Sequence, residues 1–181
     1  DWIPEDVSII KKYLQEQGAR LPDVRLVDIV VPSYRIPEEH LNHIAKMVIP
    51  PNWRSVFLFV LDNPDLTSRL DGGPEGLERR LSESSKHNVR VRANKTNMGA
   101  SSTRNRGIRE SAATWILFLD DDIQPPQNLL LEYEKHFAGL PDTRGLAGLI
   151  GLVKFPRGAG LSLMQGAVLM SYLTYAFEIA L

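Results

Sequence analysis

Short apolar runs separated by stretches of helical period constrain this chain more than any other feature of its sequence. The first run, "VRLVDIVVPSY", predicts a strand at about 25–31 ended by Pro32. "SVFLFVLD" predicts a buried strand ending at Asp62, "NVRVRAN" alternates as a half-buried strand, and "TWILFL" predicts a strand just ahead of Asp120. Helices are predicted over Glu38–Met47, Pro74–Ser85, Gly99–Ser111 and Gln127–Phe137, while "NPDLTSRLDGGPEG" reads as a turn-rich loop. "GLAGLIGLVKF" adds a later apolar strand interrupted by glycines. The alternation implies an α/β fold, a mostly parallel sheet with helices on both faces. Such sheets bind ligands outside the carboxyl ends of their strands. Three strands here end in polar residues, at Pro32-Ser33-Tyr34, Asp62-Asn63 and Asp120-Asp121-Asp122, and these ends are expected to share one cleft.

The 181 residues suffice for one domain with a hydrophobic core. A net charge of −1 points to neither nucleic acid nor an acidic membrane surface. With no cysteine, disulfides, Cys-ligated zinc and thiol catalysis are excluded within these residues. "DWIPEDVSII" is acidic and lacks the apolar centre of a signal peptide, and "SYLTYAFEIAL" stops without a helix-ending residue, so the chain is read as a piece of a longer protein. Three regions are expected: a helical extension over 1–24, with Val7, Ile10 and Leu14 at helical spacing; a ligand-binding core over 25–155; and the start of an acceptor-side or membrane-proximal segment over 156–181.

Three adjacent aspartates at a strand end repel one another, and something must offset that. In an extended chain Asp120 and Asp122 point to one side and Asp121 to the other. Two carboxylates with a gap suit a hard cation, Mg2+ or Mn2+, which completes its shell with phosphate oxygens and water. The plainer alternative is an acidic turn with Asp122 capping the next helix; the position directly after an apolar strand favours the cation. From Ser84 to Arg109 there is no acid but there are seven basic residues, Lys86, Arg90, Arg92, Lys95, Arg104, Arg106 and Arg109. Most are expected to be surface charge. Arg104, near the start of the helix after Gly99, is the residue expected to approach an anionic ligand. Gly99 suits a turn close to a ligand, and Gly107 suits either a close helix–sheet approach or an ordinary packed helix. His40 and His43 share one side of a short helix and are read as surface residues, with no metal spacing among the four histidines. Trp2, Trp53 and Trp115 are read as core or rim.

Taken together, "VDIVVPSY" at 27–34, Asp62, "NMGASSTRNRG" at 97–107 and "WILFLDDD" at 115–122 resemble the family 2 glycosyltransferases, which have the GT-A fold. The resemblance covers roughly 25–155. It implies a nucleotide-diphosphate sugar as donor, with Pro32, Tyr34, Asp62, Asn97, Arg104, Asp120 and Asp121 around the nucleotide-sugar, Asp62 on the base, and the family's D-x-D metal site at Asp120 and Asp122. It further implies inverting, metal-assisted transfer of the sugar to an acceptor hydroxyl of a glycan, lipid or protein. No acid between Asp122 and Leu181 suits the general base, which is therefore expected beyond Leu181, leaving these residues alone inactive. "LDNPDLTS" departs from the family's usual turn at this point and leaves the nucleotide open. The expected location is the cytoplasm or the cytoplasmic face of a membrane.

Two other readings compete. A nucleotidyltransferase making a nucleotide-sugar carries a Gly-rich basic loop after its first strand, where this chain has "PSYRIPEEH". A non-catalytic nucleotide-sugar-binding module is disfavoured by the intact aspartate triplet. Leu161–Leu181, with Glu178 as its one formal charge, reads as a core or acceptor-site helix ahead of a membrane-facing one.

Overall fold

A computed structural model of the chain describes residues 24–139. The expected helix at the N-terminus, the strand in "GLAGLIGLVKF" and the segment 161–181 lie outside the described residues. Among the described residues there are five strands, β1 (Arg25–Ser33), β2 (Trp53–Arg54), β3 (Phe57–Leu61), β4 (Val89–Ala93) and β5 (Trp115–Phe118), interspersed with helices α1 (Glu38–Ala45), α2 (Pro64–Thr67), α3 (Gly73–Ser85), α4 (Ala100–Glu110) and α5 (Leu129–Ala138). All strand pairs are parallel: β1 with β2, β3 and β5, and β3 with β4. β2 and β3 pair with β1 at one constant residue offset, so they lie end to end along the same edge of β1. The chain thus builds outward from β1 through β3 to β4, then returns to place β5 on β1's other side. The order reverses between β1 and β5, the position at which open α/β sheets form their binding crevice.

Successive side chains of a strand point to opposite faces. Val27 to Val31 and Phe57 to Leu61 are buried without a break, so both faces of the sheet are covered. One face carries Val30, Leu58 and Val60 with Ile116. The other carries Ile29, Val31, Phe57, Phe59 and Leu61, all fully buried. Each such aliphatic or aromatic side chain contributes about 1.5–3 kcal/mol relative to exposure. Gly107 of α4 sits directly on Val30, where an added Cβ would fall 2.3 Å from Val30 Cγ1. Of the two readings of this glycine, the close helix–sheet approach holds.

The sequence expectations differ from the structure at three places. β1 continues through Pro32 to Ser33. In a parallel ladder alternate residues face opposite neighbours: Ile29 donates to Val56 and Ser33 accepts from Asp62 on the β3 side, while Val30 accepts from Leu119 on the β5 side. Pro32 has Val30's parity and lies past the last β5 pair, Val30–Phe118, so its missing N–H breaks no ladder bond. The expected loop after Asp62 contains α2, because the Asn63 side chain accepts from the Leu66 amide at 3.1 Å and Pro64 suits the first helical turn. β2, only two residues long, carries too little periodicity to be read.

α5 is fixed to this sheet by Glu134, whose carboxylate accepts from Arg25 Nε at 3.3 Å, Asn52 Nδ2 at 2.6 Å and Trp53 Nε1. Phe137 packs against Trp53 and Trp115, with ring centroids 6.2 and 5.0 Å away, and lies under the Arg25 guanidinium. Burial pushes the Glu134 carboxyl up, but Asn52, Trp53 and Arg25 outweigh it and hold the carboxyl below its ordinary value.

Two stability predictions follow from this packing. Gly107→Ala should lower the unfolding free energy by about 1–3 kcal/mol in urea titrations through overpacking against Val30; an unchanged midpoint would contradict that close approach. Glu134→Gln should cost roughly 1.5–3 kcal/mol at neutral pH, the scale of hydrogen bonds to a charged group, read by tryptophan fluorescence. Because the folded-state pKa is depressed, this contribution is present above the unfolded Glu value of about 4.3 and is lost as pH falls through the folded value. The difference between variant and parent should therefore narrow in acid, and a difference that widens would contradict the assignment.

Candidate functional site

The carboxyl ends of β1, β3 and β5 open on a cavity of about 400 Å³. Pro32, Ser33, Tyr34, Arg35, Asp62, Asn97, Gly99, Ala100, Thr103, Arg104 and Asp120–Asp122 line it. All eight residues singled out from the sequence are among them. A second cavity of about 350 Å³ lies at the opposite end of the sheet, lined by Leu26, Asp28, Ser55, Val56, Ala112 and others. Its carboxylate, Asp28, is already engaged by the Val56 amide at 3.0 Å and the Ser111 hydroxyl at 2.7 Å. The topology of the sheet selects the first cavity.

The aspartate triplet lies in the turn just after β5. Asp120 and Asp122 are exposed and Asp121 is buried. Each carboxylate has its own donor. Arg104 Nη2 donates to Asp120, Ser33 Oγ donates to Asp121 at 2.7 Å, and Arg35 Nη1 donates to Asp122 at 3.2 Å. Ser33 Oγ also accepts the Ile36 amide at 3.2 Å, which supports Ile36 at φ 51, a left-handed conformation unfavourable for a β-branched residue. The loop after β1 is thereby folded back onto Ser33.

His40 and His43 are not the free surface residues expected from the sequence. A carbonyl can only accept, so His40 Nδ1–H donates to the Asp121 carbonyl at 3.3 Å and His43 Nε2–H donates to the Pro125 carbonyl at 2.8 Å. Gln127 Nε2 donates to the His43 carbonyl, and the Gln127 carbonyl accepts from Val48. α1 therefore holds the backbone that follows the triplet. Helical spacing showed that the two rings share a side, but the segment they meet lies some eighty residues away.

Asp62 is only 4% exposed. Its Oδ1 accepts from Asn94 Nδ2 at 2.7 Å and the Met98 amide at 2.8 Å, and its Oδ2 accepts from the Gly99 amide at 2.8 Å. Burial raises its proton affinity, but the Met98 amide, the Asn94 side chain and the Gly99 amide together hold the carboxyl below the usual carboxylate range. Asp62 is thus an anion that ties down the loop 97–99 forming the cavity wall. Gly99 takes φ 79 and ψ 161, a conformation open essentially to glycine alone. Asn94 ends β4 in the same way that Asp62 ends β3. It is a fourth polar strand end, which the sequence reading passed over. The basic run divides as follows: Arg104 reaches the cavity, Arg92 pairs with Glu78 and Glu110, and Arg106 with Glu110.

Among the described residues no cluster of three or more His, Cys, Asp or Glu side chains is arranged to enclose a metal. Asp120 and Asp122 offer two exposed carboxylates beside open space, a donor set that suits a hard cation sharing its remaining positions with ligand oxygens and water. Of the glutamates of α5, Glu132 pairs with Lys135 and Asn128, and Glu134 is held by its three donors. No described helix is long and apolar enough to cross a membrane.

Residues 68–142 match the family model for glycosyl transferase family 2. An uncharacterized glycosyltransferase of Methanocaldococcus jannaschii, MJ1057, is 27% identical over 135 residues, which span 74% of this chain and 43% of that protein. Two solved structures are similar in part. TarS of S. aureus, residues 1–349, has 22% identity and a TM-score of 0.46, covering 62% of this chain and 32% of that one. The mannosyltransferase PcManGT from Pyrobaculum calidifontis, solved with GDP-Man and Mn2+, has 19% identity and a TM-score of 0.47, covering 72% and 39%. The chain spans less than half the length of each of these relatives. Over residues 68–142 the chain is thus similar to the glycosyl transferase family 2 model.

Proposed function

We propose that these residues form the donor half of an inverting glycosyltransferase, binding a nucleoside-diphosphate sugar together with Mn2+ or Mg2+. The observation that carries this reading is the charge of the cavity. Its wall holds four aspartates and two arginines, a net charge of −2. A diphosphate entering such a cavity by itself is repelled. Asp120 and Asp122 would hold a divalent cation there, which would cancel the excess and supply Lewis-acid stabilisation of the leaving diphosphate.

The chain's own groups divide the remaining work. α4 begins at the cavity, with no acidic residue in its first turn and no side chain capping its amides, so its N-terminus is left to favour a phosphate. Arg104 and Arg35, which pair with Asp120 and Asp122, stand within the same wall as cationic partners for phosphate oxygens. Tyr34, 54% exposed at the rim, offers an aromatic face to a base. Asp62 keeps the 97–99 loop in place and has one lone pair of Oδ2 left for a base N–H. The general base that deprotonates the acceptor hydroxyl is assigned to residues outside those described, as is the acceptor site for a glycan, lipid or protein.

Calorimetry of the chain with UDP and with GDP tests this reading. Binding of one of them should require Mn2+ and vanish with chelator. Asp122→Ala should weaken it by tenfold or more, about 1.4 kcal/mol, while the unfolding free energy changes by no more than about 0.5 kcal/mol because Asp122 is exposed. Cation-independent binding, or Mn2+-dependent binding unaffected by the substitution, would overturn the assignment.

A further inference from the structure

We infer that Arg106 is a positioning residue for nucleotide binding, acting through Asn94 and Asp62 on the loop at 97–99. The inference rests on the nucleotide-binding reading above. Arg106 lies behind the cavity wall, and its influence on the wall follows from the directions of the hydrogen bonds between them.

A guanidinium has donors only. Arg106 Nη1 donates to the Ala93 carbonyl at 2.7 Å and to Asn94 Oδ1 at 2.8 Å, while its Nε is held by Glu110 Oε1 at 2.7 Å. The carboxamide oxygen of Asn94 must therefore face Arg106, and its NH2 must face the other way. There it donates to Asp62 Oδ1 at 2.7 Å and to Thr103 Oγ1 at 3.2 Å. Thr103 receives that bond because its own proton is committed to the Gly99 carbonyl at 2.8 Å. Asp62 then accepts the Met98 and Gly99 amides. A flipped Asn94 would set NH2 against guanidinium and oxygen against carboxylate. Arg106 thus fixes the one amide orientation that satisfies Asp62.

The three intermediaries are almost inaccessible to water: Asn94 is 8% exposed, Asp62 4% and Thr103 0%. Water cannot readily replace a lost partner there, so a defect passes along the network instead of being absorbed by solvent. Its far end is the backbone at Met98 and Gly99, between Asn97 and Ala100 of the cavity wall. Glu110 holds Arg106 from the opposite side and is itself shared with Arg92 at 2.8 Å, so the guanidinium has a fixed seat. Nη1 alone donates to both the Ala93 carbonyl and Asn94, and the fork of the guanidinium is what lets Nε bond Glu110 at the same time.

The test compares Arg106→Met, Asn94→Ala and the double variant in the whole chain, by amide exchange without ligand and by affinity for whichever of UDP and GDP binds in the presence of Mn2+. Arg106→Met should speed exchange at Met98 and Gly99 while leaving Val30 and Phe59 protected. Each single substitution should weaken nucleotide binding about tenfold, the lower end for outer-shell partners. The double variant should bind no more weakly than Asn94→Ala, because both act along one path. Unchanged exchange at Met98 and Gly99 with unchanged affinity in Arg106→Met would overturn the inference, as would additive losses in the double variant. If Arg106→Met loses protection at Val30 and Phe59 as well, Arg106→Gln, whose side chain stays polar but ends short of the Nη1 position, takes its place, with the same changes expected and the same contrary results decisive. A parent chain that binds neither nucleotide refutes the functional reading, and the exchange data then decide the loop-positioning role separately.

Discussion

The ladders on the two sides of β1 set the position of everything else described. β1 pairs with β3 along one edge and with β5 along the other. Both partners are parallel to it, so the three carboxyl ends emerge together. Ser33, Asp62 and the aspartate triplet meet there although they are distant in sequence. Burial of Val27 to Val31 on both faces fixes the register, since a one-residue slip would exchange two differently packed faces. Gly107 contributes at the same point by allowing α4 to rest directly on Val30. The N-terminus of that helix is thereby brought to the cavity.

Electrostatics explains how the chain tolerates three consecutive carboxylates. They do not share one environment. Asp121 is turned inward onto the Ser33 hydroxyl, and its outer neighbours each meet an arginine, Arg104 from the start of α4 and Arg35 from the loop after β1. Those surface pairs are individually weak, at about 0–1 kcal/mol, so the outer carboxylates are held without being strongly committed. Asp62 presents the opposite case. It is buried and engaged by three donors, which suits a structural anion at the cavity wall. One site thus combines a firmly held wall with loosely held charges at its mouth, consistent with the proposed entry of a cation and an anionic ligand.

Much of the fold was legible because strand-length apolar runs and helical spacing are local properties. β3 and α3 fall close to where the sequence pattern places them. The extension of β1 through Pro32 was not legible, because it depends on which side of β1 lacks a partner at that residue. The candidate site was legible in its residue types: the polar strand ends do line one cavity. Their partners were not legible. Nothing near Asp62 in sequence announces that the Met98 and Gly99 amides will donate to it, and nothing near His43 announces the Pro125 carbonyl. Arg35 directly follows the expected Tyr34 and was overlooked because its partner, Asp122, lies on another strand end.

The most direct test of the central claim, that the crevice between β1 and β5 takes a nucleoside diphosphate with a divalent cation, is a backbone amide NMR titration of the 15N-labelled chain with UDP or GDP and Mg2+. The account predicts that shifts concentrate at Ser33–Arg35, Met98–Arg104 and Asp120–Asp122 and depend on Mg2+. Shifts concentrated instead around Leu26, Val56 and Ala112 at the opposite end of the sheet, or no shifts with either nucleotide, would contradict it.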